Sequence, residues 1–385
     1  MKRLFIEPLD VLMFRSERPF IARESHVAKL GVISPLTFEG AIKSKVFLEF
    51  CEKKGYSPSD FQRKKDESEE SFKERVKKMS NKELRKILEA IGHPAVNSTS
   101  SIQVLGVFFS QKEKKEEHFP IPNDIVKSDD EKDEILKLNP VLKDELRITG
   151  MGEYACFSTY SKIKEKKGLM SFDALISYLR EGKEPDKSEI IENPYKIEMR
   201  TGIRLKKETK RAVEGYLYTA EFLRLKDWKE NWGFVVWYKA PIDIPNGIVR
   251  LGGEGKGAIC GKIKEIDLIE KLKLQELIEE INRNKEFKLY LATPSYFNDY
   301  RPPKDRLKKE LGVDSLELIA ALPGKPIYVG GYDFAMNKEK PLRKWVNAGA
   351  VYYYKFEGKI REDLPMPIKI LDKNIDMRCA FIGRW

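Results

Sequence analysis

Arg250-Leu251-Gly252-Gly253-Glu254-Gly255-Lys256-Gly257 places four glycines, an arginine and a lysine in eight consecutive residues. Glycine takes positive φ without steric cost and lets backbone approach a ligand closely. Successive free N–H groups in such a turn form a concavity suited to phosphate oxygens, and a flanking lysine adds a point charge for them. An isolated glycine-rich loop is more often a simple change of chain direction, so its context decides. A Walker A loop needs Gly-Lys followed by Ser or Thr; here Gly255-Lys256 is followed by Gly257, and Arg250 stands five residues before Gly255. A dinucleotide-binding turn follows a strand and opens a helix. This loop instead leads into residues 258–266, which alternate as in a strand. It is neither an ATP loop nor a Rossmann turn, and a loop that grips a polyanion backbone stays open.

The chain has 385 residues, which suggests two domains. An apolar content of 41% supplies a packed core, and a net charge of +11 suits a polyanionic partner such as nucleic acid. Charged residues make up 35%, and the abundance of Lys and Glu with few Gln resembles a heat-adapted (thermophile) protein. Cys51, Cys156, Cys260 and Cys379 are widely spaced, so neither a zinc site nor a disulfide framework is indicated. No apolar run is long enough to span a bilayer, and the N-terminus reads straight into a strand. The expectation is a soluble, cytoplasmic protein with no membrane contact and no cofactor.

Outward from the loop, residues 246–249 and 233–240 read as strands, and a helix is expected from 266 to about 284. Residues 4–14 are strand-like and end in Arg15, Arg18 and Arg23, three arginines within nine residues. Arginine offers phosphate a planar fork; the alternative is surface pairing with Glu17 and Glu24. A helix over 38–54, capped by Thr37 or Ser34 and closed by Gly55, carries Lys43 early in its course. Residues 56–95 form a charged helical insertion with a solvated face. Segments 198–205 and 214–225 read as a protruding hairpin whose tip, 206–211, holds Lys206, Lys207, Lys210 and Arg211. Such a tip can reach a partner or merely keep a sheet edge soluble. Strands are expected at 102–109, 287–293, 327–332 and 350–356, with helices at 171–181 and near 306–321. Strand–helix–strand units recurring in both halves predict an α+β protein with antiparallel sheets.

Several motifs, in order along the chain, resemble the third subunit of the Cmr complex, the type III-B CRISPR effector. Leu9-Asp10-Val11 leads to Phe14-Arg15-x-x-Arg18-Pro19-Phe20, and Gly40-Ala41-Ile42-Lys43 opens a helix. Arg200-x-Gly202-Ile203-x-Leu205 precedes Glu214-Gly215-x-Leu217-Tyr218-Thr219-x-Glu221-Phe222. Leu251-Gly252-Gly253-Glu254, Gly331-Tyr332-Asp333 and Ala348-Gly349-x-Val351 complete the set. The long insertion at 56–95 and the glycine-poor stretch 376–383 depart from the family pattern. The resemblance implies the RAMP superfamily: two ferredoxin-like (RRM-like) domains, divided here as 1–268 and 269–385. It implies a non-catalytic subunit present in single copy, in a complex of antiviral defence. That subunit holds the 5′ tag of the crRNA and touches the large palm-domain subunit and a backbone subunit.

The candidate RNA-binding residues are Arg15, Arg18, Arg23, Lys43, Arg200, Arg204, Lys210, Arg211, Arg250, Gly252, Gly253, Gly255 and Lys256. The expectation is that amides of Gly252, Gly253 and Gly255 meet phosphates, with Lys256, Arg15 and Arg18 neutralising them. The rival function is a metal-independent RAMP endoribonuclease that processes precursor crRNA. Such cleavage needs a general base, and of His26, His93 and His118 only His26 follows the arginine segment. A third possibility is a pure scaffold for an acidic partner. No His/Asp/Glu cluster has metal-ligand spacing.

Overall fold

The structure, a computed structural model, describes the chain except residues 15–26, 97–98, 131, 144–153, 159–161, 207 and 226–230, and the side chains at 204 and 214–217. Two five-stranded sheets dominate it. The first runs in the order Gly247–Arg250, Gly257–Ile263, Lys2–Pro8, Trp232–Lys239, Gln103–Gln111. The second runs Ser315–Leu322, Val351–Glu357, Glu286–Leu291, Ile375–Gly383, Ile368–Asp372. Neighbours within both sheets are antiparallel. With helices packed on them, the architecture is α+β. No helix among the described residues is long and apolar enough to cross a membrane.

Local chemistry explains the elements. Helix Pro35–Lys54 starts where the Ser34 hydroxyl accepts the Leu36 N–H and ends where Gly55 takes φ 72°. Its Phe38, Ala41, Ile42 and Val46 recur at helical spacing and are buried against Leu4, Ile6, Phe234 and Val236 of the first sheet. The opposite face of that sheet presents Phe5, Phe108 and Trp237. These join one continuous core with Phe381, Leu289 and Tyr352 of the second sheet. Trp237 and Phe381 meet edge to face at 6.3 Å. Helix Phe172–Arg180 buries Phe172, Leu175 and Tyr178 in this shared core, and the Tyr178 hydroxyl donates to the buried Asp124 carboxylate at 2.8 Å.

An ionic cluster closes the joint between the sheets. Arg378, on the last strand, pairs with Glu39 of the first helix and with Asp376 (2.7 Å), and donates to the Val104 carbonyl at 2.8 Å. Glu39 also accepts the Val104 N–H at 3.0 Å and a 2.6 Å ion pair from Lys43. Burial works against the charge on Glu39, yet Arg378 and Lys43 together hold its carboxyl below the usual range. Removing one member of such a buried set leaves the others charged and unpaired.

Several expectations are corrected. The helix expected over 306–321 is Lys304–Leu311, ended by Gly312 at φ 78°; Ser315–Leu322 is a strand. Cross-strand pairing with Val351–Glu357 overrides helical propensity there. The helix expected over 266–284 breaks at Lys273, which takes φ 44°, into Leu268–Leu272 and Leu274–Asn284. The first strand stops at Pro8; beyond it Leu12 bridges to Leu223. The insertion at 56–95 is not only a solvated face. Phe61, Phe72, Val76, Leu84 and Leu88 form a small core that also buries Met336. Met336 sits at the tip of an exposed hairpin, Ile327–Asp333 with Lys338–Trp345, whose second strand was not anticipated.

Arg378→Met should lower the free energy of unfolding by about 3–5 kcal/mol, because the half-buried Asp376 loses its cation and the buried Glu39 loses one of its two; guanidinium titration followed by circular dichroism measures it.

Candidate nucleic-acid interface

The glycine-rich loop joins the edge strand Gly247–Arg250 of the first sheet to its neighbour Gly257–Ile263. Arg250 pairs with Gly257 as their last rung, and the Leu251 N–H donates to the Lys256 carbonyl at 2.8 Å. Inside this closure Gly252 takes φ 75°, Glu254 φ 56° and Gly255 φ 61°. The Gly253 N–H donates to the Met13 carbonyl at 2.7 Å. A Cβ on Gly252 would lie 2.4 Å from that same carbonyl oxygen. This corrects the expectation that the amides of Gly252 and Gly253 both await phosphate. Gly252 is needed for close approach of the chain to itself, and the Gly253 amide is already spent on that contact. Gly255 differs, since nothing lies within 4 Å of its would-be Cβ.

The segment after the first strand is therefore clamped on two sides. Met13 meets the glycine-rich loop, and Leu12 exchanges backbone hydrogen bonds of 2.9 and 2.8 Å with Leu223 of the long hairpin, Tyr195–Leu205 with Ala212–Leu225. Val11, Met13, Ala220 and Phe222 form a small buried cluster beneath. Three sequence regions far apart in the chain thus meet: the stretch 11–13, the hairpin and the glycine-rich loop. Arg15, Arg18, Arg23 and His26 lie outside the described residues, as does the side chain of Arg204.

Phe222 is the floor of the exposed face. The Lys256 ammonium lies 5.1 Å and the Arg200 guanidinium 5.4 Å from its ring centre. Arg200 also binds Glu198 at 2.7 Å and Asp10 at 3.1 Å, while Arg224 pairs with the same two carboxylates. Hydrogen bonds from Arg224 and then Arg200 bring the Glu198 carboxyl down to about 2. Glu254 accepts from the Tyr218 hydroxyl at 3.3 Å and lies 3.7 Å from Lys256. Arg200, Arg224 and Lys256 here face Asp10, Glu198 and Glu254. The described part of this surface is a charge-balanced lattice and not a basic patch. Arg250, beside it at the mouth of the loop, is exposed.

The remaining candidates separate. Lys43 is ion-paired with Glu39 in the joint between the sheets, and burial pushes its ammonium down against the raising effect of Glu39. Lys210 and Arg211 are exposed at the hairpin tip, where Lys210 takes φ 55°. His93 is buried with its Nε2 2.9 Å from the Phe61 carbonyl, and His118 packs its ring against Trp232. Sequence reasoning missed Asp10, Glu198, Phe222, Glu254 and Arg224. The signal was present in the hairpin pairing, since the register sets Glu198 opposite Phe222 and Lys196 opposite Arg224. Even-numbered positions then share one face. The odd positions Ile197, Met199, Ile203 and Leu205 are all exposed on the other.

Residues 4–378 match the model of the family described as CRISPR-associated protein (Cas_Cmr3). The chain belongs to the Cmr3 family. Its motifs at 9–11, 200–205, 214–222 and 251–254 supply Asp10, Arg200, Phe222 and Glu254 of this surface. A comparison with curated proteins finds no match. Among solved structures, the chain is similar to one in a type III-B Cmr-beta complex bound to cognate target RNA and AMPPnP. The identity is 17% and the TM-score 0.46, covering 91% of this chain and 86% of that one. A second such complex, bound to cognate target RNA, gives 18% and 0.45 over the same shares. An apo-state Cmr-beta chain gives 13% and 0.30, covering 69% of this chain and 97% of that one.

Gly252→Ala should cost at least about 2 kcal/mol, since both its φ and the Met13 carbonyl forbid a Cβ. Gly255→Ala meets only the left-handed backbone penalty of about 1 kcal/mol. Thermal unfolding of the two variants side by side measures the contrast.

Proposed function

We propose that this protein is a non-catalytic RNA-binding subunit of a type III-B CRISPR (Cmr) ribonucleoprotein effector. In that role it holds the 5′ tag of the crRNA and bridges the large palm-domain subunit to the backbone. The observation that carries this is the family match across nearly the whole chain, joined to the convergence of its motifs on one exposed surface. Two ferredoxin-like units, 1–268 and 269–385, fit the strand orders. Numbering the four core strands along the chain, Lys2–Pro8, Gln103–Gln111, Trp232–Lys239 and Gly257–Ile263 lie in the spatial order 4-1-3-2. Glu286–Leu291, Ser315–Leu322, Val351–Glu357 and Ile375–Gly383 repeat that order.

Phosphates of the tag approach the lattice around Phe222 from the side of Arg250 and Lys256. Carboxylates at Asp10 and Glu198 hold Arg200 and Arg224 in place, so the guanidinium edges are oriented before RNA arrives. The Gly255 turn, with open space around it, lets backbone come close to the strand. A neighbouring subunit has a separate surface to use, the exposed apolar row Ile197, Met199, Ile203 and Leu205 along an edge strand. Such an edge is covered in an assembly or is an aggregation hazard.

Arg250→Ala with Lys256→Ala should weaken binding of tag-bearing crRNA by ~10-fold, with no cut in the RNA. Equal binding by wild type and variant, with or without the tag, rules the site out. A cut at one position that disappears in His26→Ala would turn the assignment to the processing nuclease.

Met199→Glu with Ile203→Glu should leave RNA binding by the isolated chain unchanged but prevent co-purification of the other complex subunits. Assembly at wild-type yield would show that the apolar row is not an interface.

A further inference from the structure

The hairpin Ile327–Asp333 with Lys338–Trp345 forms a two-stranded sheet of its own. It is held at both ends. At its root Trp345 is buried and packs on Tyr296 at 5.8 Å. At its tip Met336 enters the core of the helical insertion, the Ala335 carbonyl accepts the Arg63 N–H at 2.8 Å, and Lys338 pairs with Glu69 at 3.3 Å. Between these anchors the second strand is exposed at every position from 338 to 344. A strap fixed at both ends yet bare in the middle on both faces has a surface that none of the described residues covers.

Its chemistry is cationic and aromatic together. Lys340, Arg343 and Lys344 form no ion pair among the described residues. The Arg343 guanidinium lies 4.9 Å from the ring centre of Tyr296, and the Lys344 ammonium 4.4 Å from that of Tyr300. Tyr328, 44% exposed, stands directly opposite Lys344, and Phe334 is 68% exposed near the tip. Gly331 faces Lys340, so the strand beside that lysine carries no side chain. A register shift puts one extra residue into the second strand between Lys340 and Arg343, so Lys340 and Arg343 share one face of the strap and Lys344 and Tyr328 share the other. The opposing carboxylates are Glu339, Asp333 and Glu69, and the last is taken by Lys338.

We propose that this strap is a second surface for single-stranded nucleic acid, separate from the glycine-rich loop. An acidic polypeptide would satisfy the cations but leave the exposed rings unused. A single strand uses both, with phosphates on the lysines and bases stacked on tyrosine faces. The two surfaces lie on different sides of the first helix. Lys45 of that helix reaches the Ile248 carbonyl beside the glycine-rich loop at 3.1 Å, whereas Lys43 faces Glu39 and feels the charge of Lys340. The strap therefore does not depend on the assignment made for the loop.

The test is fluorescence anisotropy of labelled oligouridine with the full chain across a range of salt. Lys340→Ala with Lys344→Ala should make the log–log salt slope shallower by about 1.4, two phosphates at about 0.7 each, with the unfolding temperature unchanged. Lys340→Arg with Lys344→Arg should restore the slope, and Tyr328→Ala should weaken binding without changing it. Lys256→Ala measured in parallel separates the sites: a loss there with wild-type behaviour in the strap variants overturns the strap alone. Wild-type oligouridine binding by the strap variants with loss of poly-glutamate binding overturns it in favour of an acidic protein partner.

Discussion

Arg378 is the side chain on which the arrangement of the two sheets turns. It comes from the last strand of the second sheet and ends on Glu39 in the first helix and on the backbone of Val104 in the first sheet. A buried guanidinium is tolerated only when its donors meet anions or carbonyls, so this residue admits few relative positions of the sheets. The apolar core around Trp237, Phe119 and Phe381 supplies the area, but apolar contact alone is permissive about register. The ion cluster adds direction, and it draws in Lys43, which sequence had assigned to RNA.

The same division of labour holds at the candidate interface. Apolar packing of Val11, Met13, Ala220 and Phe222 brings the segments together, and ion pairs among Asp10, Glu198, Arg200 and Arg224 orient what faces solvent. Because the pairs are nearly neutral in sum, the surface does not attract anions by charge count. It offers donors in fixed directions, and long-range attraction falls to Arg250 and the net charge of the whole chain.

Much of the fold was legible in the sequence. The helix behind Ser34 and Pro35 and its end at Gly55 follow from capping chemistry, and the strand Trp232–Lys239 and the long hairpin follow from local pattern. The failures have one cause. Ser315–Leu322 contains Leu, Glu and Ala, good helix formers, and becomes a strand because Val351–Glu357 lies beside it. Lys338–Trp345 is mostly charged and has no periodicity to read, yet pairs with its neighbour across a turn. At the site, glycine content singled out a loop in which Gly252 and Gly253 approach Met13 closely, and the Gly253 amide is spent on that contact.

Sequence by itself determined the secondary-structure menu, the family and the loop around which the candidate interface is built. All of these rest on local patterns, that is caps, alternation and glycines, or on short motifs in order. Only the tertiary structure decided which cations remain free. Whether Arg200 can meet a phosphate depends on Asp10, 190 residues away in the chain, and Lys43 is held in the joint through Glu39, which also pairs with Arg378 339 residues further on. No local pattern encodes those neighbours. It also decided that a hairpin of the second half crosses to the insertion of the first, because only the folded chain sets Met336 against Phe61 and Phe72.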